Sequence, residues 1–135
     1  MNKQNNYFIK ENLNPLNKKV GDCVVRSISK ALNKDWYTTL KELYELGLSI
    51  ACLPNDKLTY TEYLKKYPSI NVFYSIGDKK KRYSVKDLCI KYPNNTLIIR
   101  LAGHLTTIKK GYLYDIWDCS NKKAYKIWLI GGNNG

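Results

Sequence analysis

The order of patterned segments predicts an α+β fold, with helices gathered early in the chain and antiparallel strands late. Segments of helical periodicity occupy much of residues 22–67, and runs of strand formers bounded by turn residues dominate after residue 95. The regular strand–helix alternation of a doubly wound sheet is not seen. The 135 residues suit one domain, residues 1–135, with a core of its own and no internal repeat.

Residues 1–19 are polar and Asn/Lys-rich, which reads as an irregular arm with a short extended piece at Tyr7, Phe8 and Ile9. Asp22 or Gly21 can cap a first helix that starts at Cys23 and ends near Asn33. Val24, Val25, Ile28, Ala31 and Leu32 share its buried face. A second helix is expected over residues 36–46, with Leu40, Leu43, Tyr44 and Tyr37 as its apolar stripe and Gly47 as its stop. Thr39-x-x-Glu42 offers it a capping box, in competition with Asp35. Residues 49–57 read as a loop. Thr59-x-x-Glu62 opens a short third helix that ends before Pro68.

Residues 70–76 are strand formers closed by Gly77-Asp78, and residues 79–82 read as an exposed basic stretch. Ser84-x-x-Asp87 begins a fourth helix, stopped at Tyr92-Pro93. Four strands then fall at residues 96–102, 104–109, 112–117 and 124–130. The middle pair is joined by a tight turn at Lys110-Gly111, and residues 131–135 form a frayed tail.

The formal net charge is +12, from 20 lysines and 3 arginines against 11 acidic residues. Abundant Lys, Asn, Ile and Tyr is also what AT-rich codons produce. Either origin gives a positive surface that attracts nucleic acid, anionic lipid or acidic proteins, most strongly at low salt. No apolar run is long enough to span a bilayer, and the first ten residues lack the apolar centre of a secretory signal. No membrane span and a cytoplasmic location are the expectations; oligomeric state is left open.

Cys23, Cys52, Cys89 and Cys119 form no CxxC pair and match no zinc spacing, so four reduced thiols are expected. Cys52, Cys89 and Cys119 read as small core residues. Cys23, His104 and Asp115 are a thin set for zinc, and neither metal nor cofactor is expected.

Cys23 differs from the other thiols because it stands in the first turn of a helix. The unpaired backbone N–H groups there favour a thiolate and can serve an oxyanion. His104 is the one histidine in the chain. With a two-residue loop at Lys110-Gly111, Thr106 faces Asp115, and His104, Thr106 and Ile108 share a sheet face with Leu113, Asp115 and Trp117. His104 and Asp115 are then diagonal neighbours about 7 Å apart at the backbone. A three-residue bulged loop would reverse the parity and favour Asp118. Asp115 would fix the His104 tautomer and stabilise its imidazolium, with Trp117 as a shield from water. Taken singly, each residue has a packing explanation; order, spacing and parity together make the site.

These residues resemble the papain-like cysteine peptidases. In that fold a helix begins with the nucleophilic Cys, a His starts a later strand and an Asn or Asp follows on the next, the order seen here. Asp115-Ile116-Trp117 is similar to the papain Asn-Ser-Trp element. Asp22-Cys23 and Gly103-His104 resemble the bacteriocin-processing peptidases of the same clan, and the whole looks like small papain-like proteins of bacteria and their phages. The likeness rests on residues 17–28, 102–108 and 112–118. It implies that the helix carrying the nucleophile packs on the C-terminal sheet. It also implies an oxyanion-hole residue six positions before the nucleophile, a Gln in those peptidases and Asn17 here.

The resulting expectation is a thiol hydrolase cleaving a peptide or isopeptide bond in a peptide or protein substrate, with Cys23, His104, Asp115 and Asn17 as catalytic residues. The alternative is a catalytically degenerate papain-like binding module for nucleic acid or an acidic protein partner. It would use the basic clusters at Lys65-Lys66, residues 79–82, Lys109-Lys110 and Lys122-Lys123. No helix-turn-helix, zinc-finger or RNA-recognition signature accompanies those clusters.

Overall fold

The computed structural model describes residues 7–131. The chain runs β1 (Phe8–Lys10), α1 (Cys23–Leu32), α2 (Trp36–Ile50), α3 (Lys57–Tyr63), β2 (Ser69–Asn71), β3 (Phe73–Ile76), β4 (Lys79–Arg82), α4 (Val85–Lys91), β5 (Thr96–Leu101), β6 (His104–Lys109), β7 (Tyr112–Asp115) and β8 (Lys126–Gly131). This is an α+β protein. Its main sheet has six strands in the order β1-β7-β6-β5-β8-β2, and β3 and β4 form a separate hairpin. All main-sheet pairs are antiparallel except β1 with β7, which is parallel.

Two cores flank the sheet. Ile28, Leu43 and Leu64 meet Ile98, Leu105 and Trp128 on the side of α1. On the other side Val85, Leu88 and Cys89 of α4 meet Leu97, Ile99, Ile108, Leu113 and Ile127. Strands β5 and β8 contribute alternate residues to each, as a sheet covered on both faces requires.

The turn between β6 and β7 has the two-residue form. Lys110 and Gly111 both take positive φ, 49° and 80°, the type I′ geometry that suits the right-handed twist of a hairpin. The register pairs Lys109 with Tyr112, Ile108 with Leu113 and Thr107 with Tyr114. A side chain on Gly111 would also press on the Pro93 backbone at 3.3 Å.

Several boundaries differ from the sequence expectation. Helix α2 does not stop at Gly47 but continues to Ile50 and closes on Ala51 in the left-handed region. Gly47 is there for space, since a Cβ would lie 2.4 Å from the Cys52 carbonyl oxygen. Asp35, not Thr39, caps α2 by accepting from the Thr38 N–H. Thr39 is buried instead, donating to the Asp35 carbonyl and accepting from the Ser29 hydroxyl. Tyr37 and Tyr44 are exposed, and of the expected stripe only Leu43 is fully buried.

Helix α3 begins at Lys57, because Asp56 caps it by accepting from the Leu58 N–H. Residues 70–76 divide between β2 and β3, and Lys79–Arg82 pairs with β3 as a strand rather than standing as a loose basic stretch. β7 ends at Asp115, short of Trp117. β8 begins at Lys126 and includes Gly131; the rest of the expected tail lies outside the described residues. The capping box of Ser84 and Asp87 on α4 forms as expected. Among the described residues no helix is long and apolar enough to cross a membrane.

Candidate active site

Two buried hydrogen bonds fix α1 against β6. The Ser27 hydroxyl donates to the Leu105 carbonyl at 2.7 Å, and the Thr107 hydroxyl donates to the Ser27 carbonyl at 2.7 Å. Ser27 lies one helical turn beyond Cys23, and Leu105 follows His104 directly. The clasp therefore sets the first turn of α1 beside the start of β6. Cys23 is half-buried there and lines one cleft together with His104 and Leu105.

His104 Nε2 lies 2.6 Å from Asp115 Oδ2, the diagonal contact that the hairpin register dictates. Asp115, 2% exposed, collects further donors. Thr106 Oγ1 donates to Oδ2 at 2.7 Å, the Ile116 N–H to Oδ1 at 2.7 Å and Arg26 Nη1 to Oδ1 at 3.0 Å. The Cys119 thiol donates to Oδ2 more weakly, at 3.7 Å. Trp117 lies over the imidazole with ring centroids 5.2 Å apart, so one flank of the pair is shielded although the indole is 40% exposed.

Behind this set stands a second carboxylate. Asp22 Oδ1 accepts from Arg26 Nε at 2.8 Å, and its Oδ2 accepts from Asn14 Nδ2 and Trp36 Nε1, each at 3.1 Å. Asp22 is the N-cap residue of α1, yet its side chain makes no capping bond. Its carboxylate is held by Arg26, Trp36 and Asn14 instead. The first N–H groups of α1, which have no intrahelical acceptor, are thus left for the Cys23 sulfur or an oxyanion beside it.

The charges follow from these contacts. Burial pushes the Cys23 thiol up, but hydrogen bonds from His104 and Leu105 and the positive charges of His104 and Arg26 prevail and hold it below its ordinary value. Burial opposes a charged His104, yet its hydrogen bonds to Asp115, Cys119 and Cys23 push it up to about 11. Asp115 is likewise resisted by burial and held below the usual carboxylate range by His104 and Thr106. When the pair holds a single proton, that proton therefore resides on His104 rather than on Cys23.

All four cysteines are free. Cys89 and Cys119 are buried core residues whose thiols burial pushes up, Cys89 to about 12. Cys52 is half-exposed rather than a core residue, placed by the loop after the extended α2. His104, Asp115 and Cys119 bring one potential metal-ligating atom each within 4.8 Å of one another. Asp115 is already saturated by hydrogen bonds and shared with the Arg26 cation, which disfavours a further cation there.

Cys23, His104, Asp115 and Trp117 are brought together as the sequence suggests, and Asp118 is left out of the constellation. Asn17 is not brought in. It sits exposed in a turn at φ 56°, and it does not line the cleft in which Cys23 lies. Asn14, three residues earlier, is the buried amide, and it serves Asp22. Arg26 went unread as a site residue. Its signal was an arginine one turn after Cys23 on a helix otherwise rich in small and apolar residues. No family model, curated protein or solved structure matches this chain.

Proposed function

We propose that this protein is a papain-like thiol hydrolase that cleaves a peptide or isopeptide bond. The observation that carries the reading is the placement of one imidazole between a helix-start thiol and a buried carboxylate, with Nε2 at 2.6 Å from Asp115. Because Nε2 is engaged with Asp115, Nδ1 is the nitrogen left to serve Cys23.

In this mechanism the Cys23 thiolate attacks the carbonyl carbon. A C–S bond forms and the carbonyl π electrons move onto oxygen, where the N–H groups at the start of α1 stabilise the charge. Collapse of the tetrahedral species breaks the C–N bond, and His104 passes its proton to the departing amine. Water then attacks the thioester while His104 takes a proton from it. The C–S bond breaks, the acid is released and the thiolate–imidazolium pair returns. Asp115 keeps the ring oriented throughout and stabilises its charge whenever it holds the second proton. Backbone N–H groups fill the oxyanion role that the resemblance implied for Asn17, so Asn17→Ala should leave activity intact.

The test is digestion of a peptide library derived from a cell lysate, read by mass spectrometry. Wild-type protein is expected to yield new termini that Cys23→Ala does not. Equal cleavage by the Cys23→Ala protein would overturn the reading.

A further inference from the structure

Two clefts flank the Cys23–His104 pair. One, of about 400 Å³, is lined by Cys23, Lys57, Tyr60, Arg100 and His104 among others. The other, of about 310 Å³, is lined by His104, Trp117, Arg82, Lys122, Lys123 and Tyr125 among others. Neither lining contains an Asp or Glu. Among the described residues none of these five cations makes an ion pair, whereas Arg26, Lys30, Lys34 and Lys65 all do. The buried Nε of Arg100 has no hydrogen-bond partner among the described residues.

The arginines sharpen the point. AT-rich coding accounts for many lysines, but it does not account for where the 3 arginines stand. Arg26 holds Asp115, while Arg82 and Arg100 approach the same Tyr125 ring, at 3.9 and 5.3 Å from its centroid. Stacking on an aromatic ring orients a guanidinium for planar, two-pronged binding of a carboxylate, which lysine cannot match. Two guanidinium groups thus crowd the Tyr125 ring. That removes the open aromatic platform which single-stranded nucleic acid uses.

We infer that the chain cleaved at Cys23 is an acidic peptide, with Asp or Glu carboxylates on both sides of the scissile bond held by Arg100 and Lys57 in one cleft and by Arg82, Lys122 and Lys123 in the other. This rests on the hydrolase reading for the word "cleaved" and on the two clefts for the word "acidic". The two parts are tested separately.

Binding is measured at low salt by the fluorescence anisotropy of a labelled ten-residue glutamate peptide and its glutamine counterpart. It is measured for wild type, Arg82→Gln/Arg100→Gln, Lys122→Gln/Lys123→Gln and, as a control of equal charge loss outside both clefts, Lys65→Gln/Lys66→Gln. The exposed lysine pair guards against a fold defect in the arginine variant. The glutamate peptide is expected to bind wild type at least about tenfold more tightly than the glutamine peptide. Both cleft variants should lose most of that preference and the control should keep it. Equal loss in all three variants, no preference in wild type, or tight binding of a single-stranded oligonucleotide that glutamate peptide does not displace would each overturn the inference. Failure of the hydrolase reading shows elsewhere, as a Cys23 that iodoacetamide alkylates no faster than Cys52.

Discussion

Arg26 and Asp115, 89 residues apart in sequence, meet in a buried ion pair with Nη1 at 3.0 Å from Oδ1. The same guanidinium holds Asp22 through Nε, so a single arginine on α1 ties the helix that carries Cys23 to the strand that carries Asp115. One cation between two carboxylates leaves a net negative charge, and a protonated His104 balances it. The relay thus runs from Asp22 through Arg26 and Asp115 to His104, which lines a cleft with Cys23.

Asp115→Asn should unsettle both halves of the relay. Arg26 would lose an ionic partner while buried at 7% exposure, and His104 would lose the acceptor that keeps it charged. Breaking one side of a buried pair costs about 3–5 kcal/mol. Urea unfolding should show that loss. The pH at which Cys23 becomes reactive should rise in the same variant.

Arg26→Met should also destabilise, because two carboxylates 2% and 5% exposed would then face each other without their shared cation. The cost should approach the same ~3 kcal/mol. Pairing it with Asp22→Asn should recover part of the loss, since one buried negative charge goes with its partner. A double-mutant cycle by thermal or urea unfolding measures the coupling. Strict additivity would mean that the pair is not energetically linked.

The pH dependence of stability has a definite sign. His104 is raised from 6.5 to about 11, so its contribution is whole below pH 6.5 and is lost as pH climbs through about 11. Asp115 is depressed below 3.8, so its contribution is present above that value and lost as pH falls through its lowered one. Cys23 is depressed below 9.0, so its contribution grows as pH rises toward 9.0 and offsets the His104 loss over that interval. Wild type should therefore hold its stability better than Cys23→Ala as pH rises toward 9.0, a difference that urea unfolding at each pH can read. A gap that narrows with rising pH would contradict the thiolate–imidazolium assignment.

Gly47→Ala serves as a structural control. A Cβ there would sit 2.4 Å from the Cys52 carbonyl oxygen, so backbone must shift, at a cost of about 1–3 kcal/mol. Circular dichroism should report the lower melting temperature. The reactivity of Cys23 should be unchanged, since α2 does not contribute to the relay beyond Trp36.

The site was legible where local rules govern. A two-residue loop with glycine fixes hairpin register, and register alone places His104 diagonal to Asp115. Helix α1 starts after Asp22 and closes on Asn33, whose left-handed conformation suits an asparagine. What eluded the sequence depends on distant contacts. Gly47 looked like a helix stop because glycine often is one, but here close approach of Cys52 demands it inside the helix. The strand identity of Lys79–Arg82 comes from pairing with β3, which overrides its charged composition. β1 joins the sheet edge parallel to β7 through a long-range pairing that its three residues do not announce. Arg26 gave no sign of its role because its second partner, Asp115, lies on another element, and Asn17 was carried by resemblance to a position whose turn exposes it.

The most direct measurement is the rate of iodoacetamide alkylation of each cysteine between pH 4 and 9, followed by peptide mass spectrometry in wild type and His104→Ala. A thiolate held by His104 should make Cys23 the fastest of the four, reactive well below pH 8, with that advantage lost in His104→Ala. Reaction of Cys23 no faster than Cys52, or only above pH 8, would contradict a thiolate–imidazolium pair and with it the hydrolase reading.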